Sequence, residues 1–469
     1  MSNPRDPAPR AIRNRASSKT KGKSQVKPKK RFGFRAAALV SAAGLALAAC
    51  GSSSHSGQAG GTSATAAAGG GTGATIPPPA KVTGTLSGPG VTASTITIGQ
   101  ITTTSGPVPG LFQDANDGLD AYVAYVNANG GIAGRQLKVI HVDDAFDCNT
   151  YSQALQRLST QVFAMVGTFT LEDTCGQAVL KANPNLIDIE GEVLYPGLYE
   201  GFPNVFSPTP LPPGYATTGY KWIKDKFPND ITHTATLIPG AAEANGKQEN
   251  LTAESIGYKY VYSRIIGPIE TNFTSDILKM KSLGVKIVDL GVSSVGIDSN
   301  FIQQAAQQNF HPDAIIGAAI YDSHLLKLLG NASIANNVVY APLAYSLYLG
   351  QDRASVPGVN TFLTWLDRIH PGEAASIFTV SAWGSGMLLT EAMSKAGAQV
   401  TQASTIQAMN AITSFDSGGL TAPFNPGQRV GAHCMVIAGI QNGKWVRIDP
   451  KSGFECNGVY HNVPLSELK

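Results

Sequence analysis

From Thr95 onward the chain alternates short runs of β-branched and apolar residues with stretches of helical periodicity, and this rhythm leaves few folds open. Thr95-Ile96-Thr97-Ile98-Gly99-Gln100-Ile101 alternates as a strand. Leu119, Tyr122, Val123 and Val126 then recur at helical spacing, and Asn129-Gly130-Gly131 ends that helix where glycine takes a left-handed cap. Leu137–Val142 predicts a second strand, Leu155 to Leu158 a helix, and Val162–Gly167 a third strand. Further strands are predicted at Thr236–Ile238, Tyr260–Ser263, Ile287–Leu290, Ala314–Gly317 and Val338–Tyr340, with helices such as Phe273–Leu283 and Asn300–Asn309 between them. Such alternation gives α/β architecture, with parallel sheets covered by helices on both faces. It also places a ligand outside the carboxyl ends of the strands. A chain of 469 residues exceeds one ordinary core, so two doubly wound lobes are expected.

The first 94 residues have a different character. Residues 1–49 hold 12 of the 35 Lys and Arg but only one acid, Asp6, so the remainder of the chain is acidic and nothing in it advertises nucleic-acid binding. An apolar run from Ala36 to Ala49 is too short to span a bilayer as a helix but suits the core of a signal peptide. It ends Leu47-Ala48-Ala49-Cys50-Gly51-Ser52, which resembles the lipobox of bacterial lipoproteins. The reading is a signal peptide over 1–49, lipidation of Cys50, and an extracytoplasmic location on the outer face of the cell membrane. The charges near Lys30-Arg31-Phe32 leave the twin-arginine route open beside the general secretory one, although the paired arginines are missing. Residues 50–94, rich in Gly, Ser, Thr, Ala and Pro, read as a disordered tether between lipid and globule.

With Cys50 set aside, Cys148, Cys175, Cys434 and Cys456 remain, an even number outside the cytoplasm. Three pairings exist. The local one, Cys148 with Cys175 and Cys434 with Cys456, is preferred because each pair flanks neighbouring strands. No Cys-x-x-Cys pair or close His partner suggests a metal, and no cofactor motif occurs.

Several blocks carry a family resemblance. Ser105-Gly106-Pro107 follows the first strand, and Asn127-x-x-Gly130-Gly131-Ile132-x-Gly134-Arg135 leads into the second, which ends Asp143-Asp144. Val166-Gly167-Thr168, Pro184-Asn185-Leu186-Ile187, Val285-Lys286-Ile287-Val288-Asp289, Ser381-Ala382-Trp383-Gly384 and Glu391-Ala392-Met393 continue it. Together they resemble the branched-chain-amino-acid-type (type I) periplasmic binding proteins, substrate receptors of ABC transporters. The resemblance implies two doubly wound lobes joined by a three-crossover hinge, with 95–213 and 345–420 in lobe one and 214–344 and 421–469 in lobe two. The run Pro208-x-Pro210-x-Pro212-Pro213-Gly214 suits the first crossover, since successive prolines hold a chain extended.

The resemblance also implies ligand contacts. Phe112 and Gln113 lie in the loop after the first strand, Phe112 either stacking on ligand or serving as a buried anchor. Thr168 and Thr170 match positions that hold a ligand carboxylate, although Thr170-x-x-Asp173 also reads as a helix cap. Asn245 lies on the loop of lobe two, Tyr321 follows the strand at 314–317, and Tyr345 follows the next strand. The chain departs from the family at Asp188-Ile189-Glu190-Gly191-Glu192, where relatives carry small or hydroxyl residues. Glu190 and Glu192 there would repel an anion and attract an ammonium group, or else stand as solvated rim charges.

No Gly-x-Ser-x-Gly, His-Glu-x-x-His or Walker loop occurs, and the His residues lack metal-ligand spacing, so an enzyme is not indicated. The expectation is a receptor that captures a small polar metabolite, an amino acid, amide or related amine, and passes it to an ABC-transporter permease. A lipid-anchored sensor or a cell-envelope scaffold of the same fold are the alternatives.

Overall fold

A computed structural model describes residues 77–209 and 214–468. The expected signal peptide, Cys50 and the tether as far as residue 76 lie outside the described residues, as do Pro210, Pro212 and Pro213 of the first crossover. Among the described residues, no helix is long and apolar enough to cross a membrane.

Two sheets organise the chain. The first is five-stranded and wholly parallel: β1 (Thr95–Thr102), β2 (Gln136–Asp143), β3 (Ala164–Thr168), β4 (Ile187–Glu190) and β5 (Val205–Phe206), in spatial order β2-β1-β3-β4-β5. The second holds seven strands. Its parallel part is β6 (Thr234–Pro239), β7 (Tyr260–Ile266), β8 (Ile287–Asp289), β9 (Ala314–Ile316) and β10 (Val339–Leu343). An antiparallel hairpin, β11 (Val436–Gln441) and β12 (Lys444–Asp449), completes it in the order β12-β11-β10-β9-β8-β6-β7. Strands β3 and β8 are buried along their whole length, as expected of parallel strands covered on both faces.

The helix Gln113–Ala128 buries Leu119, Tyr122, Tyr125 and Val126 and stops before Gly130, whose φ of 95° only glycine adopts at low cost. It packs on the helix Ile377–Lys395, and the two approach so closely that a Cβ on Gly118 would collide with the Thr379 carbonyl. Trp383 fills the junction, edge-on to Tyr122 and stacked on Tyr125 with ring centroids 5.3 Å apart. Thus the segment after β10 returns to cover the first sheet, and the chain re-enters the second sheet only at β11.

The passages between the sheets are tied together. Tyr345 bridges Thr421, Ser346 N–H donates to the Leu420 carbonyl at 2.9 Å, and Ala422 N–H to that of Ala344 at 2.8 Å. The Tyr345 hydroxyl meets Thr209 Oγ1 of the remaining crossover at 3.1 Å. Three crossovers joining two doubly wound lobes constitute the type I periplasmic binding protein fold.

The packed chain starts earlier than Thr95. Val82 and Leu86 are buried, Thr85–Leu86 pair in parallel with Gln399–Val400, and the Tyr125 hydroxyl donates to the Pro77 carbonyl at 2.6 Å. This corrects the tether at its C-terminal end: two apolar residues inside a Gly/Ser/Pro-rich stretch suffice to dock it. Disulfides join Cys148 to Cys175 and Cys434 to Cys456, the local pairing.

Candidate functional site

In each sheet the chain runs outward on one side of its first strand and then resumes on the other, so the connections diverge between β1 and β3 and between β6 and β8. A crevice opens at such a switch point. The two crevices face one another across a cavity. Its wall is assembled from the loops and helix starts beyond the strand ends: Leu111 and Phe112 after β1, Phe169 and Leu171 after β3, Gly191 and Glu192 after β4. From the second lobe come Pro239 and Ala242 at the end of β6, Val292 to Ser294 after β8, Ala318 and Ala319 after β9, and Leu343 to Tyr345 at the end of β10.

The first lobe contributes an aromatic corner. Phe112, Phe169 and Phe378 meet in pairs, with centroids 5.0 to 5.5 Å apart. Phe378 packs edge-on to the other two, which fixes the rings and presents an apolar face to a ligand. Donors near the wall are largely engaged within the protein: Ser381 Oγ donates to the Gly191 carbonyl at 2.7 Å, and the Ser293 hydroxyl donates to Asp298.

Two carboxyls stand out against this apolar background. Glu192 comes from the end of β4, and burial pushes it up to about 7, with Asp173 adding to the shift. Glu249 comes from the helix Glu243–Ser255 of the other lobe; burial holds it well above the usual carboxylate range, with Asp289 and then Glu192 adding. Asp289 accepts hydrogen bonds from Tyr260 at 2.9 Å, Tyr220 at 3.1 Å and the Gly291 N–H at 3.0 Å. It is therefore the better-solvated member of the Glu249–Asp289 pair and keeps the charge.

Of the residues expected to touch ligand, Phe112, Glu192 and Tyr345 line the cavity. The others do not. Gln113 is exposed at the start of its helix. Thr168 is buried beneath the wall, and Thr170 donates to Asp144 while accepting the Glu172 N–H at 2.9 Å, a local turn. Glu190 points into the core beside Asp188, because residues 188 and 190 share one face of β4 while Glu192 lies past its end. It is thus neither a cleft-edge charge nor a solvated rim. Asn245 is buried, donating to the Val193 carbonyl at 3.4 Å. Tyr321 is buried between Tyr348 and Trp445, its hydroxyl donating to Gln351 Oε1 at 2.5 Å.

Reasoning from the sequence missed Phe169, Glu249 and Phe378, all of which line the cavity. Glu249 carried one readable signal: its helix buries Asn245, Gln248, Glu249 and Thr252, a polar face that solvent exposure cannot explain.

Residues 95–444 match the periplasmic binding protein family. The chain belongs to that family. The relatives it matches are of the branched-chain-amino-acid type that the Gly-Gly-Ile-x-Gly-Arg block implied, substrate-binding proteins of transporters rather than enzymes. A Leu/Ile/Val-binding protein homolog of Brucella suis biovar 1 is 22% identical over 327 residues, covering 67% of this chain and 80% of that one. Among solved structures, a fatty acid ABC transporter substrate-binding protein from Thermomonospora curvata superposes with TM-score 0.64 at 18% identity, over 81% of this chain and 94% of its own. A branched-chain amino acid transporter substrate-binding protein from Streptococcus pneumoniae, in complex with isoleucine, gives 0.62 at 19%, over 76% and 100%. At these identities the shared fold is what such superpositions establish. This periplasmic binding protein therefore has the lobes and crevice of that fold.

Proposed function

We propose that this protein is the extracytoplasmic receptor of an ABC importer, anchored through a lipid on Cys50, and that it captures a largely apolar solute between its lobes for delivery to the permease. The observation that carries the reading is the cavity where the two switch points meet, walled by Phe112, Phe169, Leu171, Val292, Leu343 and Phe378. A fold that places a crevice there invites a ligand, and an apolar wall selects apolar surface. The small polar metabolite expected from the sequence suits this wall poorly, since polar groups would lose water without gaining partners. Relatives of the same fold are described as taking a fatty acid and isoleucine, both with apolar bodies.

The test is a thermal-shift screen of the full chain against amino acids, amides, polyamines, nucleobases, aryl and alkyl amines, alcohols and carboxylates. A ligand at about a hundred times its dissociation constant adds about 2.7 kcal/mol of stability. A shift confined to solutes with apolar bodies supports the reading; a shift with polar amides or nucleobases alone overturns the apolar assignment. Fatty-acyl labelling that persists in Cys50→Ala would overturn the anchor.

A further inference from the structure

The receptor reading leaves open what lies at the polar end of the solute, and any assignment of that end rests on that reading. Glu249 is 5% exposed, accepts no hydrogen bond among the described residues, and faces the cavity. Glu192 faces it from the other lobe, likewise without a hydrogen-bond donor among the described residues. Among the described residues that line the cavity there is no Lys, Arg or His. Two carboxyls in an apolar chamber with no counter-charge form an incomplete arrangement: burial of an ionised carboxylate costs several kcal/mol unless a partner is supplied.

We propose that the partner is the ligand itself, and that the cavity selects an apolar amine, a hydrophobic body ending in a protonated nitrogen and lacking a carboxylate, held between Glu192 and Glu249.

The alternatives meet physical objections. A carboxylate ligand, of the fatty or aromatic acid kind, would approach two acids with no cation to receive it. An amino acid would satisfy Glu249 with its ammonium but carry a carboxylate into the same chamber. The position that would hold that group is closed, since Thr170 is committed to Asp144 and to the Glu172 N–H. A calcium or magnesium ion needs about six to eight oxygen ligands, and Phe112, Phe169, Leu171 and Phe378 cannot supply them. An ammonium carries three donors and can serve two carboxyls at once.

The placement of the acids also bears on closure. Glu192 extends from the end of β4 in one lobe, and Glu249 belongs to a helix of the other. A nitrogen between them contacts both and favours the closed state, which is the differential interaction a ligand-driven closure requires.

The probes are phenethylamine, phenethyl alcohol and hydrocinnamate, which share one body and differ in the end group. Calorimetric titration of the full chain in detergent at neutral pH should show the amine binding at least tenfold more tightly than the alcohol, with the acid weakest. In Glu249→Gln and in Glu192→Gln the amine-to-alcohol ratio should fall to about twofold or less. Glu249→Gln removes a buried, unpartnered carboxyl and Glu192→Gln a half-buried one, so both variants should melt at or above the parent temperature, which separates lost selectivity from lost fold. Tightest binding of the acid or the alcohol by the parent protein would overturn the amine assignment and leave the apolar receptor standing. Failure of all three probes to bind at millimolar concentration would overturn both.

Discussion

Asp188 and Glu190 stand two residues apart on β4, so both carboxyls enter one buried layer of the first lobe, beneath Tyr151. Neither Asp188 oxygen receives a donor, nor does Glu190 Oε2. A proton carried by one carboxyl supplies the missing donor to the other. Burial pushes Asp188 up to about 7; burial first, then Asp188 and Asp173, holds Glu190 well above its ordinary value. Tyr151, itself pushed up by burial, stands near Asp173 and Asp144 as well, so these titratable neighbours are all acids.

That arrangement makes stability depend on pH. With folded-state pKa values raised, the folded protein keeps protons that the unfolded chain has lost above about 4. The stabilisation is complete below the unfolded pKa and is lost as pH rises through about 7. Melting followed by circular dichroism should therefore show the midpoint falling between about pH 5 and pH 8, by about 2–4 °C for each kcal/mol lost. Asp188→Asn should flatten part of that slope. A midpoint that is level or rises over this interval would contradict the assignment.

Tyr321 is a core residue in the structure, and its removal should read as such. Its ring meets Tyr348 at 4.9 Å and Trp445 at 5.1 Å, and its hydroxyl bonds Gln351. Tyr321→Ala should cost about 3–5 kcal/mol of stability, as for other large-to-small aromatic changes. Tyr321→Phe should cost about 1 kcal/mol, the net worth of one hydrogen bond. Ligand affinity of the folded fraction should be unaltered in the Phe variant; a loss of affinity at full stability would return Tyr321 to the site.

Gly291 makes room for the Glu249 carboxyl, since a Cβ built there would collide with Glu249 Oε2. The residue also has a φ of 31°, which disfavours any side chain. Gly291→Ala should displace the carboxyl and weaken capture of the preferred ligand by about tenfold or more, while ligands that do not use Glu249 lose less. Equal losses for every ligand would mean that the loop has moved and that Glu249 has no selective part.

The features legible in the sequence and those hidden in it have a common physical origin. Strands such as Ile287–Asp289 are legible because their burial on both faces writes an apolar run bounded by turns. The helix end at Gly130 is legible because the backbone there requires a positive φ. Tyr321 misled because its partner, Trp445, sits on the antiparallel hairpin β11–β12, whose strands did not stand out in the β/α rhythm. Glu190 and Glu192 looked equivalent because they would share one face if β4 continued, whereas β4 ends at Glu190 and the chain beyond it turns Glu192 to the cavity. Glu249 was hidden because a single acid on a polar helix is ordinary until the fold shows which face is buried.

The N-terminal strap gives the last test, because it separates the start of the fold from the start of the sheet. Val82 and Leu86 are each 5% exposed, and Thr85 and Ser87 N–H groups donate to the Ala398 and Val400 carbonyls at 2.9 and 3.1 Å. Burying a Val or Leu side chain contributes about 1.5–3 kcal/mol. A chain that begins at Lys81 keeps both side chains and both hydrogen bonds, whereas one that begins at Thr95 loses them and bares the edge at Gln399–Val400. The shorter form should be less stable by roughly 3 kcal/mol or more in urea titration, with the longer form close to the parent chain. The Lys81 form does lose the hydrogen bond from Tyr125 to Pro77, a partly exposed contact whose net worth is about 1 kcal/mol or less. If the Thr95 form proved as stable as the Lys81 form, the segment from 81 to 94 would be no more than tether. If it proved weaker as expected, the pull of any membrane anchor would be borne by the first lobe, leaving the second free to close.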